Sequence, residues 1–146
     1  MFDDNFYFDD LLENANIILE ATKHDIKSAE SQISRLFQHL LKYQYQPERQ
    51  DKSWYDSIFG AYNEFIDAEY KNNVINSIDL DKCFARARKE ALKETGISPS
   101  LIPTQKPYEW NIDFITDIDK IINYLRFYYN KNATYNIDLE KYLKNK

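Results

Sequence analysis

Two glycines, one cysteine and two histidines are all that 146 residues contain of these types, and each scarcity excludes something. With two glycines there are few positions where the backbone takes a positive φ at little cost. That disfavours a β-rich fold with many tight turns and fits helices joined by short corners. A lone cysteine, Cys83, closes no internal disulfide, so a reducing compartment is expected. His24 lies about four turns from His39 and Cys83 stands apart from both. No C-x-x-C or H-E-x-x-H spacing exists, so no metal and no cofactor are expected. Glycine-rich phosphate loops and G-x-S-x-G elbows are absent.

Positive charge is short as well. Lysine and arginine number 19 against 24 acidic residues, a net charge of −5 and a pI near 5.1. Nucleic acid is therefore not an expected partner. No apolar run approaches the ~20 residues of a membrane span. The opening MFDDNFYFDD is acidic where a signal peptide would be basic. A soluble, cytoplasmic protein is expected, as one helical domain over residues 1–146.

Aromatic residues are plentiful, with 12 Tyr, 9 Phe and 2 Trp. The ordering signal is a seven-residue repeat that starts at Phe8 and runs unbroken to Tyr43. Its positions are Phe8, Leu12, Ala15, Leu19, Thr22, Ile26, Ala29, Ile33, Leu36, Leu40 and Tyr43. The steps alternate four and three without a slip, as the seam of a packed helix requires. One helix from Phe8 to Tyr45 follows, stopped by Pro47, with the other elements packing on it. Such a helix measures ~57 Å at the usual rise, whereas a compact chain of this length is about 38 Å across. It must break or protrude. Thr22-x-x-Asp25 offers a possible new helix start, but the seam keeps phase through it, so continuity is expected. A protruding apolar half-seam needs a partner, which makes a homodimer the natural expectation.

Asp3, Asp4, Asp9 and Asp10 suit the positive end of the first helix dipole better than a calcium loop, which needs a sharp-turn glycine. Phe2, Phe6 and Tyr7 are expected to dock on the bundle. Beyond Pro47, Ser53 and Asp56 resemble a capping box, with Asp51 as a competing cap. The second helix carries Trp54, Ile58, Phe59, Tyr62, Phe65 and Ile66 on one face and fades at Asn72-Asn73. A third begins near Asp79, turns Leu80, Phe84, Ala87, Ala91 and Leu92 inward, and stops at Gly96 in the left-handed position with Ile97 folding back. Pro99, Pro103 and Pro107 mark an extended connector pinned by Leu101, Ile102, Tyr108 and Trp110. Thr116 and Asp119 are expected to cap a fourth helix bearing Ile118, Ile121, Ile122, Leu125 and Tyr128. Asn130 to Asn136 forms a turn before a last amphipathic piece with Ile137, Leu139, Tyr142 and Leu143.

The corner HLLKYQYQPERQDKSWYDSI, from His39 to Ile58, carries a resemblance. It is similar to the signature of a bacterial family known as domain of unknown function 29. In that family a helix ending His-Leu-Leu-Lys-Trp-Gln precedes Pro, Glu, Arg and a Ser-Trp helix start. ARKEALKETGI resembles the family's helix closing on Glu-Thr-Gly, and Pro103 with Pro107-Tyr108 resembles its proline connector. DDNFY resembles its opening Asp-Phe-Tyr. Tyr43 stands where the family has Trp, and Lys106 where it has Cys. The resemblance implies an all-α bundle from a bacterium and no activity. It places a family-like region at about 1–116 and a helical extension at about 117–146.

His39, Gln44, Gln46, Glu48, Arg49 and Trp54 are the candidate functional residues. One reading gathers Glu48 and Arg49 in a cleft with His39 behind them, an acid/base and anion-binding set. The other makes the corner structural, with Gln44 and Gln46 satisfying the last helical carbonyls, Glu48 paired to Arg49 and Trp54 clamping the second helix on the first. The structural reading is preferred. The stripe Lys82, Arg86, Lys89 and Lys93, interleaved with Glu90 and Glu94, reads as a solvated face. Tyr124, Tyr128, Tyr129 and Tyr135 read as core lining with wet hydroxyls, and Cys83 as packing. The expectation is an all-α antiparallel bundle of about four helices on one long first helix. It is expected to serve as a non-catalytic interaction module, homodimeric or docking on another protein through aromatic surface. A small enzyme or nucleic-acid-processing protein acting at the corner is the alternative.

Overall fold

A computed structural model describes residues 4–133 and 137–145, with side chains from residue 8 onward. Phe2, Phe6 and Tyr7, whose docking was expected, lie outside the described side chains, as do Asp3, Asp4, Tyr135 and Asn136. Among the described residues the chain is all-α.

The first helix, α1, runs without a break from Asp4 to Tyr45, 42 residues and ~63 Å at the usual rise. The Thr22–Asp25 capping sequence does not interrupt it. The Thr22 hydroxyl donates back to the Ile18 carbonyl at 3.0 Å, the mid-helix habit of threonine rather than the role of a cap. The seam is covered over its second half only. Ala29, Ile33, Leu36, Leu40 and Tyr43 are fully buried, whereas Phe8, Leu12 and Leu19 keep about half or more of their surface exposed. The helix therefore protrudes, and the body packs on it from Ile26 onward. Of the two outcomes that its length allowed, a break or a protrusion, the helix takes the second.

Two helices embrace the covered half. α2 (Lys52–Asp67) returns antiparallel to α1, with Tyr43 beside Tyr55 at one end and Arg35 paired to Glu64 at 3.0 Å further along. It ends five residues before the expected Asn72, and a short helix α3 (Asn72–Ile75) follows. There the Ser28 and Tyr70 hydroxyls share a hydrogen bond of 2.8 Å. Ile66, expected inward, is exposed. α4 (Leu80–Thr95) then runs alongside α1 in the same direction. Glu30 accepts from the Asp79 amide at 2.9 Å and from Lys82 at 3.2 Å, so a buried side chain of α1 caps the start of α4. At the far end Glu94 accepts from Gln38 at 2.7 Å and Lys42 at 2.8 Å. Gly96 terminates α4 at φ +69°, the left-handed conformation expected of it.

The proline connector is held differently from expectation. Ile102 and Trp110 are buried, but Leu101 and Tyr108 face solvent. Arg88 does the fixing instead, donating to the carbonyls of Ile102 at 3.1 Å and Pro99 at 2.8 Å. Trp110 stacks between Phe37 and Phe114, with centroids 4.9 and 5.9 Å away. The next start is also shifted. Asn111 caps a short α5 (Ile112–Ile115), and Asp117, not Thr116, caps α6 (Ile118–Phe127). Thr116 bonds back to Ile112. A last helix, α7 (Leu139–Lys144), buries Leu139 and Tyr142 and is tied to α6 by Arg126 and Glu140 at 2.6 Å.

Candidate functional site

The corner begins where α1 meets Pro47. A residue preceding proline is pushed out of the helical region, and Gln46 sits at φ −127°, ψ 60°. Its amide still closes the last helical bond, to the Lys42 carbonyl at 2.9 Å. Pro47, Glu48 and Arg49 form one 3₁₀ turn. Asp51 then caps α2 through the Trp54 amide at 3.2 Å and also accepts from the Ser53 hydroxyl. The competing cap thus prevails over Ser53.

One residue holds this corner, and it is Gln50. Its side chain is 1% exposed. The amide nitrogen donates to the carbonyls of Tyr43 at 3.0 Å and Tyr128 at 2.7 Å, and the amide oxygen accepts from the Asn130 amide at 2.9 Å. Asn130 adds a bond to the Pro47 carbonyl at 3.1 Å. The carbonyl-satisfying task expected of Gln44 and Gln46 therefore belongs to Gln50. Gln44 accepts from the Tyr124 hydroxyl instead, and Gln46 is buried with no side-chain hydrogen bond among the described residues. No local signal marks Gln50, because two of its partners lie about eighty residues further along the chain.

The outer side of the corner is an open hollow of about 490 Å³ lined by Lys42, Gln46, Glu48, Arg49, Asp51, Trp54 and Glu94. Its charges are mixed. Lys42 is engaged by Glu94, and its ammonium lies 5.7 Å from the centroid of the Trp54 ring. That ammonium, through its hydrogen bond, holds the Glu94 carboxyl below the usual range. The expected Glu48–Arg49 ion pair is not formed. Both side chains are exposed, and neither makes an ion pair or hydrogen bond among the described residues. Trp54 is half-buried and packs against the core, in keeping with a clamp between α1 and α2.

His39 does not join Glu48 and Arg49 in the hollow. Its Nδ1 is buried without a hydrogen-bond partner among the described residues. Burial, followed by the nearby Lys42 charge, lowers its pKa to about 4. It is therefore neutral and weakly basic at physiological pH. Cys83 is equally unsuited to chemistry. Its thiol donates to the Glu30 carbonyl at 3.6 Å, and burial pushes its pKa up to about 11.

Two other surfaces stand out. One is the projecting half of α1, with Phe8 60% and Ile18 67% exposed. The other is an aromatic groove of about 670 Å³ beside α6, lined by the exposed Tyr108 and Phe127 together with Phe114 and Tyr124. Tyr124 itself is half-buried, and burial raises its pKa well above the phenol range.

Fold and corner together define a class: an all-α protein whose long first helix ends in a Pro-Glu-Arg turn locked by a buried glutamine. No helix among the described residues is long and apolar enough to cross a membrane. The chain belongs to the family described as domain of unknown function DUF29, which matches residues 8–118. The match ends on the first residue of α6. No curated protein and no solved structure matches the chain.

Proposed function

We propose that this chain is a non-catalytic protein–protein interaction module, acting in a bacterial cytoplasm through the projecting half of α1 and pairing with itself or with another protein. One observation carries the reading. Leu11, Leu12, Ile18 and Leu19 stand about half or more exposed on a helix that its own body engages only from Ile26. Contiguous apolar surface of this kind marks contact sites in soluble proteins. The single buried cysteine and the acidic charge balance support the cytoplasmic setting. A photo-crosslinking residue placed at Ile18 of the full chain in the cell tests it. A discrete adduct at Ile18, absent from the same probe at Lys93 on the outer face of α4, is expected. No adduct at Ile18, or the same pattern at both sites, contradicts it.

The second reading, a small enzyme or nucleic-acid-processing protein acting at the corner, draws on the open hollow and on the exposed Glu48 and Arg49 beside Lys42. Against it stands His39, outside the hollow and held neutral. Binding of nucleic acid that weakens steeply with salt, and is lost in Arg49→Ala, would favour this reading over the first.

A further inference from the structure

The seam of α1 has six layers left open, wholly or in part, to a second helix: Phe8, Leu12, Ala15, Leu19, the half-buried Thr22 and the half-buried Ile26, where the body begins. Ala29, the next, is fully buried on the body and closes the series. Two copies can meet along this seam in parallel or antiparallel, and the residues distinguish the two arrangements. A parallel pair sets each layer against itself. Ala15 would face Ala15 and Thr22 would face Thr22, leaving thin layers between bulky ones. It would also bring Asp9, Asp10 and Glu13 of both copies to the same end, where like charges repel.

The antiparallel pair that uses all six layers sets Phe8 against Ile26, Leu12 against Thr22 and Ala15 against Leu19 of the other copy. Small residues then face large ones in the inner layers, as interdigitating packing requires. The positions flanking the seam follow. Asp9 of each copy faces Lys23 of the other, Asn16 faces Asn16, and Ile18 meets Ile18 across the two-fold axis. A flanking ion pair of this sort sets orientation and register in paired helices. Lys23 is free to take it, since its present contact with Glu20 is exposed and 3.5 Å long. One mismatch remains, Leu11 beside Asp25, at the outer edge where both reach water.

The geometry points to a second copy of this chain as the occupant of the exposed α1 seam, bound antiparallel through residues 8–26 with Asp9 paired to Lys23 at both ends. This rests on the interaction-module reading and names its partner. The closed two-fold buries the same patch on both copies and leaves no open end for further addition.

Cysteine cross-linking of the full chain, in a Cys83→Ala background, tests the arrangement. Leu12→Cys and Thr22→Cys proteins are oxidised separately and as a mixture. The antiparallel pair places Leu12 opposite Thr22, while the two Leu12 positions lie ~15 Å apart along the axis, beyond the ~7 Å a disulfide spans. The expected result is a heterodimeric disulfide in the mixture and little homodimer from either protein alone. Homodimers from each variant alone, with no heterodimer preference, mean a parallel pair and overturn the proposal. Charge exchange gives a second readout. Asp9→Lys should weaken association several-fold and Asp9→Lys with Lys23→Asp should restore it, with helicity unchanged in both. Failure of the double variant to recover counts against the register. A protein that stays monomeric at high concentration overturns self-pairing. If an Ile18 adduct still forms in cells, the broader module reading survives that outcome, and without the adduct both fall.

Discussion

The Tyr43 hydroxyl donates to the Leu125 main-chain carbonyl at 2.9 Å inside the core. Tyr43 closes the buried seam of α1, and Leu125 lies beyond the residues that the family match covers. The bond is one of several that run from the corner to the last thirty residues. Gln44 receives Tyr124, Gln50 holds Tyr128 and Asn130, and Asp56 accepts from the Tyr142 hydroxyl at 2.7 Å. The inner side of the corner is thus spent on anchoring the tail, while its outer side, around Glu48 and Arg49, is an open hollow.

Gln50→Ala removes the three side-chain hydrogen bonds described above, leaving the buried Tyr43 carbonyl and the partly buried main-chain groups of Tyr128 and Asn130 without that partner. A buried group left unsatisfied costs roughly 1–3 kcal/mol, and part of that is recovered by local relaxation. Denaturant unfolding is expected to show a loss of about 2–4 kcal/mol, against less than about 0.5 kcal/mol for Glu48→Ala, whose side chain is exposed.

Gly96→Ala tests the end of α4. Nothing lies within 4 Å of the added methyl, so crowding plays no part, but φ is +69°. An L-residue in that region pays about 1–2 kcal/mol. The expected loss of stability is about 1 kcal/mol, seen as a lower denaturation midpoint with an unchanged slope.

His39 gives a pH signature. Its pKa falls from 6.5 to about 4 on folding, so between those values the unfolded chain binds the proton and the folded chain does not. Stability then rises with pH through the window and is lost as pH falls from about 6.5 toward 4. Glu94, held low by Lys42, also loses its contribution on acidification, so the two are separated by substitution. His39→Gln should flatten the part of the stability profile between pH 4 and 6.5, and NMR titration of the His39 ring should give a midpoint near 4.

The two halves of α1 should respond differently to the same change. Leu40→Ala empties a fully buried position and is expected to cost about 2–5 kcal/mol. Leu12→Ala removes a half-exposed side chain and is expected to leave monomer stability within about 0.5 kcal/mol. It should nevertheless weaken association in light scattering.

Much of this was readable from residue order. Eleven seam positions in phase gave the rod, Pro47 its end, and Gly96-Ile97 the stop of α4, because each acts on its own neighbours. The seam also implied protrusion once its length was set against the size of the body. Contacts between distant segments left no such trace. Glu30 looks like one charge on a helix face, yet it caps an amide 49 residues ahead. Arg88 sits within ARARKE like any solvated arginine but fastens the connector. Glu48 and Arg49, adjacent and opposite in charge, invited a pairing that the 3₁₀ turn does not make.

Hydrogen exchange at the amides of residues 11–19, followed as the protein is diluted, tests most directly whether the free half of α1 is covered by a second copy. Protection that is high in concentrated solution and falls on dilution, while the amides of residues 33–40 stay protected throughout, is the result predicted. Exchange in residues 11–19 that is fast and indifferent to concentration would contradict it.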